Sequence, residues 1–273
     1  MFEQLLIGFL LAVSIAIAAR KTGSLNRSGM YAAILTGTMI FGLGGWQWAV
    51  LLLTFFFSST ALTRAFKQRK KEANEKYAKG GERDAGQVLG NGGIAALLAA
   101  LHFFYPEAAW PWLGFAASLA AVNADTWATE LGVLNPTAPR LITDLRKSVE
   151  KGTSGGVSAL GTLAALAGAG LIGLLAASLY PLPVLRPLQG FFPLALLITL
   201  AGLLGSLFDS WLGATAQAIY YCPTCQKETE RHPHHVCGAR THRIRGWSWL
   251  NNDWVNFACG AWGAMLAIVA NWL

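Results

Sequence analysis

Four carboxylates lie inside strongly apolar stretches of the sequence: Asp125, Glu130, Asp209 and Asp253. An acidic side chain at the centre of a bilayer costs about 2.5 to 3.5 kcal/mol on insertion scales, so such residues usually have a function. Like charges that are brought together need a cation to offset their repulsion, and carboxylate and amide oxygens suit Mg²⁺. We therefore predict a Mg²⁺ site formed by these four acids, with Asn123 and Asn256 as further ligands. The alternative is that these groups only hydrogen-bond neighbouring helices.

A basic, glycine-rich segment at residues 139–156 has the composition of a phosphate-binding loop. Its glycines allow turns that point backbone N–H groups at an anion, just before a helix whose dipole favours negative charge. It is not a Walker A loop, because the lysine precedes the glycines. The predicted phosphate-binding residues are Arg146, Lys147, Lys151, Gly152, Thr153, Ser154, Gly155 and Gly156, with Lys151 also in a catalytic role. The alternative is a flexible turn, but cations for phosphate beside carboxylates for a metal indicate phosphoryl transfer.

A third group of residues, within 220–247, has the spacing of zinc ligands. Cys222 and Cys225 form a Cys-x-x-Cys pair, and Cys237 follows with several histidines nearby. On a loop in the reducing cytosol this pattern favours structural Zn²⁺ over a disulfide. The fourth ligand is predicted to be His234 or His235. An unliganded polar loop and a redox Cys-x-x-Cys are the alternatives.

Membrane-spanning helices are predicted to hold these groups in place. The chain of 273 residues is 54% hydrophobic and only 13% charged, far from the roughly 25% charged residues of soluble proteins. Apolar runs approach the roughly 20 residues that a helix needs to cross the hydrocarbon. The eight predicted spans are residues 3–19, 29–44, 46–63, 86–105, 110–134, 156–179, 190–218 and 254–272. The fold class is therefore an all-α polytopic integral membrane protein, a single domain over 1–273 with one short cytosolic zinc-knuckle-like loop.

The distribution of positive charge predicts the orientation of these helices. Arg20 and Lys21 follow the first apolar run, so the amino terminus is expected outside and the first helix is expected to be retained. Of the 21 Lys and Arg residues, only Arg186 then falls in an outer segment. The net charge of +7 is explained by this asymmetry, so nucleic acid is not expected as a partner. The acids and the glycine-rich loop are expected at the cytoplasmic face, in the cell membrane. The charged block 64–84 is predicted to continue as a solvated or lipid-facing helix, with substrate contact as the alternative.

Five sequence blocks resemble the family of integral membrane proteins that includes phytyl-phosphate kinase of the tocopherol pathway. The blocks are residues 123–132 (NADTWATELG), 139–143 (PRLIT), 151–158 (KGTSGGVS), 205–215 and 252–256 (NDWVN). The resemblance implies an enzyme that phosphorylates an isoprenoid monophosphate to its diphosphate, with CTP or another nucleoside triphosphate as donor. It also implies that the acids bind metal and that the Lys151 loop binds phosphate.

Three other functions stay open. A kinase acting on the free isoprenoid alcohol would need a base near the hydroxyl, and a cytidylyltransferase would release pyrophosphate. A lipid transporter driven by protons or cations could also place acids in its membrane helices, although little polarity is found in their outer halves.

Overall fold

The computed structural model describes residues 2–66, 76–180 and 190–272. Eight α-helices within these ranges lie where the eight spans were predicted. They are α1 (Phe2–Lys21), α2 (Arg27–Met39), α3 (Trp46–Ala65), α4 (Ala85–Phe104), α5 (Trp110–Gly132), α6 (Ala159–Ser178), α7 (Phe191–Thr215) and α8 (Asn252–Ala270). Six of them, all except α2 and α5, are long and apolar enough to cross a membrane. The chain is thus a mostly helical membrane protein. Arg186 and the stretch 67–75 of the charged block lie outside the described residues.

Helix α5 is the centre of the bundle, and every residue from Pro111 to Ala124 is buried. Small residues let other helices approach it closely. An added Cβ on Gly202 or Gly205 of α7 would lie 2.6 Å or 2.5 Å from an α5 alanine Cβ. Because α5 is enclosed by other helices, it can carry polar residues that a lipid-facing helix could not.

The short connection at Gly44 and Gly45 is explained by local backbone geometry. Helix α2 passes into a π-helical turn over Ile40–Gly44, and Gly45 then has a φ of 96°, which ends the helix. Helix α3 starts at the next residue, Trp46. A glycine at this position permits the left-handed conformation at little cost. The chain thus passes from one predicted span to the next without a longer loop.

Two small antiparallel sheets correct the all-α prediction. One has the order β2-β1-β3 and consists of β1 (Arg140–Leu141), β2 (Asp144–Ser148) and β3 (Gly156–Val157). The other has the order β5-β4-β6 and consists of β4 (Ile219–Cys222), β5 (Lys227–Thr229) and β6 (His242–Arg245). Strands this short are hard to detect from hydropathy, because their alternation covers only a few residues. Both sheets lie in the segments that carry the predicted phosphate and zinc ligands.

Candidate functional site

A cavity of about 640 Å³ brings the predicted acids and the glycine-rich loop together. Its walls include residues of all the helices from α3 to α8 and of the segments 22–24, 77–83, 151–158 and 230. Among its lining residues are the four predicted acids, Asp125, Glu130, Asp209 and Asp253, and the loop residues 151–156. These groups come from distant parts of the sequence, and the helix bundle places them around one space.

Asp125 and Asp209 belong to two helices that pack against each other, α5 and α7, and both carboxylates line the cavity. The Oδ2 atom of Asp209 is buried and has no hydrogen-bond partner among the described residues. An unsatisfied buried carboxylate oxygen is costly, so it requires an unusual compensation such as an ion. Ser206 and Asn256 add neutral oxygen atoms to the same wall. This is a suitable donor set for Mg²⁺.

The other two acids are held by protein groups. The hydroxyl of Thr63 donates to Glu130 Oε1 at 2.8 Å. Asp253 forms a short ion pair with Lys79, which also contacts Asp84 at 2.8 Å. Asp253 packs so closely against α4 that an added Cβ on Gly86 would lie 2.2 Å from its Oδ2. Both acids therefore shape the cavity wall and its charge.

Asn123 serves a different purpose from Asn256. It is fully buried, and its Nδ2 donates to the Gly168 carbonyl at 2.8 Å. Its Oδ1 accepts hydrogen bonds from Ser58 at 3.1 Å and Ser59 at 3.4 Å. The amide thus joins α5 to α3 and α6, whereas Asn256 lines the cavity.

The glycine-rich loop is fastened against the end of α7. Gly155 has a φ of 84°, and an added Cβ would lie 2.5 Å from Ala214 Cβ and 2.6 Å from its nitrogen. Lys151 Nζ donates to the carbonyls of Val133 and Asn135 at 2.9 Å and 2.7 Å, just past the end of α5. Lys151 therefore connects this loop to the helix that carries Asp125. Arg146 and Lys147 lie on the exposed strand β2, away from the cavity lining.

Residues 76–84 include side chains that line the cavity but were not predicted individually as site residues. Tyr77, Lys79 and Arg83 all line the cavity. Burial raises the pKa of Tyr77, and the charges of Glu230, Glu130 and Asp125 raise it further. Arg83 Nη1 donates to Thr60 Oγ1 at 3.1 Å. Lys79 and Arg83 thus place two cations in the lining beside the acids, and a site for phosphates needs positive charge of this kind.

Glu230 also lines the cavity, in addition to Glu82 and the four predicted acids, and it follows strand β5 of the Cys/His-rich segment. Its Oε1 accepts hydrogen bonds from Ser154 Oγ and Gln217 Nε2, each at 2.9 Å. Its Oε2 accepts a longer one, 3.4 Å, from the Ala78 N–H. Burial raises the pKa of Glu230 despite these hydrogen bonds, which lower it. The sequence gives one indication of this role, which is that Glu230 is an acidic residue in a mostly basic segment.

The predicted zinc ligands form a compact cluster of Cys222, Cys225, His235 and Cys237, whose ligand atoms all lie within 4.8 Å of one another. The Cys222 and Cys237 sulfurs are 3.5 Å apart. A tetrahedral zinc ion with bonds of about 2.3 Å requires sulfurs roughly 3.8 Å apart, so the cluster fits zinc. Of the two predicted histidines, His235 is buried and belongs to the cluster, whereas His234 is exposed.

The chain belongs to the integral membrane protein DUF92 family, whose model matches residues 10–264. Membership of this family, predicted from the sequence blocks above, is confirmed. No solved structure matches the chain.

The chain is similar to Protein PGR of Arabidopsis thaliana, with 35% identity over 93% of this chain and 91% of that protein. It is 32% identical to an uncharacterized membrane protein of Synechocystis, over 95% of this chain and 86% of that one. Protein VTE6, chloroplastic, of Arabidopsis thaliana is 27% identical over 90% of this chain and 65% of its own length. The similarity thus extends through the helices and loops that form the cavity.

Proposed function

We propose that this protein catalyses Mg²⁺-dependent phosphoryl transfer from a nucleoside triphosphate, CTP by preference, to an isoprenoid monophosphate such as phytyl phosphate. One observation carries the proposal: the carboxylates of Asp125 and Asp209 share a single cavity with cations and with the glycine-rich loop at 151–156. Metal-binding acids opposite phosphate-binding groups are the parts that phosphoryl transfer needs. The choice of acceptor is supported by the sequence blocks that resemble the phytyl-phosphate kinase family.

The buried, unpartnered Oδ2 of Asp209 supports Mg²⁺ as the cofactor. Asp125 and Asp209 would hold the ion, with Asn256 as a neutral ligand and Glu130 and Asp253 nearby. When bound, Mg²⁺ supplies positive charge that stabilises the phosphates of the donor. Glu130 and Asp253 are already held by Thr63 and Lys79, so we assign them mainly to shaping the site.

The chain's own groups would orient two phosphates and neutralise the charge between them. The backbone N–H groups of the 152–156 loop are suited to the donor, because glycine turns present several N–H donors to one anion. Lys79 and Arg83 approach from the 76–84 segment and can contact either substrate. An oxygen of the acceptor phosphate would bond to the γ-phosphorus as the bond to the β–γ bridging oxygen breaks, releasing the nucleoside diphosphate. The attacking oxygen is already anionic, so no general base is required.

The proposed site lies where both the nucleotide and the lipid substrate can reach it. With the amino terminus outside, the cavity opens on the cytoplasmic side of the cell membrane, where nucleotides are available. The isoprenoid tail would lie among the helices or at the lipid boundary, and Zn²⁺ would occupy the cluster around Cys222.

Paired aspartate variants test the proposal in the purified, detergent-solubilised protein with CTP, phytyl phosphate and Mg²⁺. Asp209→Asn keeps the size of the side chain but removes a charge, and we expect its rate to fall by about 100-fold or more, the usual effect of losing a group that stabilises transition-state charge. Asp144→Asn is the matched control, because Asp144 is exposed on β2. Its rate should stay within about threefold of the original, as is typical of surface substitutions. A folded Asp209→Asn protein with a normal rate would exclude Asp209 from the site.

A further inference from the structure

We propose that Glu230 is a positioning residue that couples the zinc cluster to the glycine-rich loop, so that zinc binding orders the phosphate-binding part of the cavity. The zinc cluster is the set Cys222, Cys225, His235 and Cys237. The structural coupling stands on contacts alone, whereas its effect on nucleotide use rests on the proposed function.

Glu230 contacts the glycine-rich loop directly. Ser154 lies at the centre of the loop, and its hydroxyl donates to Glu230 Oε1 at 2.9 Å. Gln217, which follows α7, donates to the same oxygen. Glu230 thereby joins the loop to the end of the helix that carries Asp209. Hydrogen bonds to a buried carboxylate are stronger than neutral ones, so this junction is a substantial restraint.

Glu230 also lies between the zinc ligands in the sequence. It lies five residues after Cys225 and five before His235, so one metal ion would fix both ends of the segment that carries it. Strand β5 connects the knuckle to this point: Cys222 pairs with Lys227, and Tyr220 pairs with Thr229, the residue before Glu230. At about 3.3 Å per strand residue, Glu230 lies roughly 10 Å from the level of Cys222.

The same segment also contacts residues 76–78. The Glu230 N–H and the Thr229 hydroxyl both donate to the Lys76 carbonyl, at 2.8 Å and 3.0 Å. Lys76 in turn contacts Glu150 at 2.7 Å and Thr153 at 3.3 Å. The zinc-bound segment therefore reaches the loop by two routes, one through Glu230 and one through Lys76. Without the metal, the chain between Cys225 and His235 would regain conformational freedom, and both routes would loosen.

Hydrogen–deuterium exchange of the full chain in detergent tests the coupling without reference to activity. The peptide to follow covers residues 150–157, which include the Gly156 N–H bonded to the Thr153 carbonyl at 3.0 Å. We expect zinc removal with 1,10-phenanthroline, or the substitution His235→Ala, to speed exchange there by about five- to tenfold, the effect of losing roughly one hydrogen bond. His234→Ala is the matched control, because His234 is exposed and outside the cluster. It should leave both zinc content and exchange unchanged.

The substitution Glu230→Ala separates the link from the metal site. It should retain close to one zinc ion per chain, as one four-ligand cluster requires, and yet show the same fast exchange at 150–157. Ser154→Ala should do likewise, so the test survives if Glu230→Ala fails to fold. Zinc removal from Glu230→Ala should then add less than it does to the original protein, because coupled groups are not additive.

Three results would overturn the coupling: no bound zinc in the purified protein, unchanged exchange after zinc removal, or unchanged exchange in both Glu230→Ala and Ser154→Ala. Kinetics give the functional consequence. If the proposed function holds, zinc removal should raise the KM for the nucleotide by more than it changes the KM for the isoprenoid phosphate. If exchange responds as expected but no phosphoryl transfer occurs, the coupling stands and the proposed function fails.

Discussion

The substitution Gly155→Ala is expected to lower the thermal stability of the protein and to weaken its use of the nucleotide. Gly155 has a φ of 84°, and the new methyl group would lie 2.5 Å from Ala214 Cβ and 2.6 Å from the Ala214 nitrogen. Neither atom can move without shifting the end of α7. The loop must therefore separate from α7 and carry its backbone N–H groups away from the positions that would bind phosphate.

Gly238→Ala is the control that isolates the steric part of this effect. Gly238 has nearly the same φ, 83°, but an added Cβ would have no atom within 4 Å. Both substitutions cost about 1 to 2 kcal/mol for a left-handed alanine. Only Gly155→Ala adds overpacking of about 1 to 3 kcal/mol. For a chain of this size, that difference corresponds to a melting temperature roughly 2 to 12 °C below that of the control.

Thermal unfolding in detergent, followed by tryptophan fluorescence, measures the difference in stability, and steady-state kinetics with CTP measure the effect on the loop. The zinc content of Gly238→Ala should be checked, since Cys237 is its neighbour. Equal melting temperatures for the two variants, together with an unchanged KM for CTP, would refute the described contact between the loop and α7.

Two further predictions concern charged groups at the cavity. Lys151→Ala removes two hydrogen bonds to the end of α5, so it should cost about 1 kcal/mol in stability and slow turnover. Lys147→Ala, on the exposed strand β2, should change neither the stability nor the turnover. Equal effects of the two substitutions would contradict the connection that Lys151 makes between the loop and α5. Burial raises the pKa of Asp84, but hydrogen bonds from Lys79 and from the Gln87 N–H outweigh it and lower the pKa overall. The ionised carboxylate therefore stabilises the fold above the ordinary pKa of about 4 and loses this contribution as the pH falls through the lowered value. Asp84→Asn should be less stable by at most about 1 kcal/mol at pH 7, and its melting temperature should converge with that of the original as the pH falls. A difference that does not shrink between pH 7 and pH 3 would contradict this.

The helices could be predicted from sequence because apolar runs and charge blocks report directly on the lipid environment. The convergence of Asp125 and Asp209 followed from placing both near the same ends of their helices. Asn123 and Asn256 could not be told apart, because their roles depend on which neighbour each amide meets. Asn123 meets two serines of α3, a contact across 65 positions of the chain.

The cavity residues that were not predicted from the sequence were missed for a similar reason. Lys79 and Arg83 lie in a block whose composition is typical of a solvated surface, and only the packing of α4 against α8 brings Lys79 to Asp253. Glu230 lies in the zinc-binding segment, and its contact with Ser154 spans 76 positions. Local sequence reports on local structure, whereas these contacts are set by the fold as a whole.

The fate of the γ-phosphate of CTP distinguishes the proposed phosphoryl transfer from its alternatives. Purified protein is incubated with Mg²⁺, phytyl phosphate and CTP that carries a radioactive γ-phosphate, and the lipid products are separated. We expect the label to appear in the isoprenoid diphosphate, with CDP as the second product, and we expect Asp209→Asn to slow this transfer by about 100-fold or more. Label released as pyrophosphate with a cytidine-linked lipid, or no labelled lipid from the folded protein, would contradict this expectation.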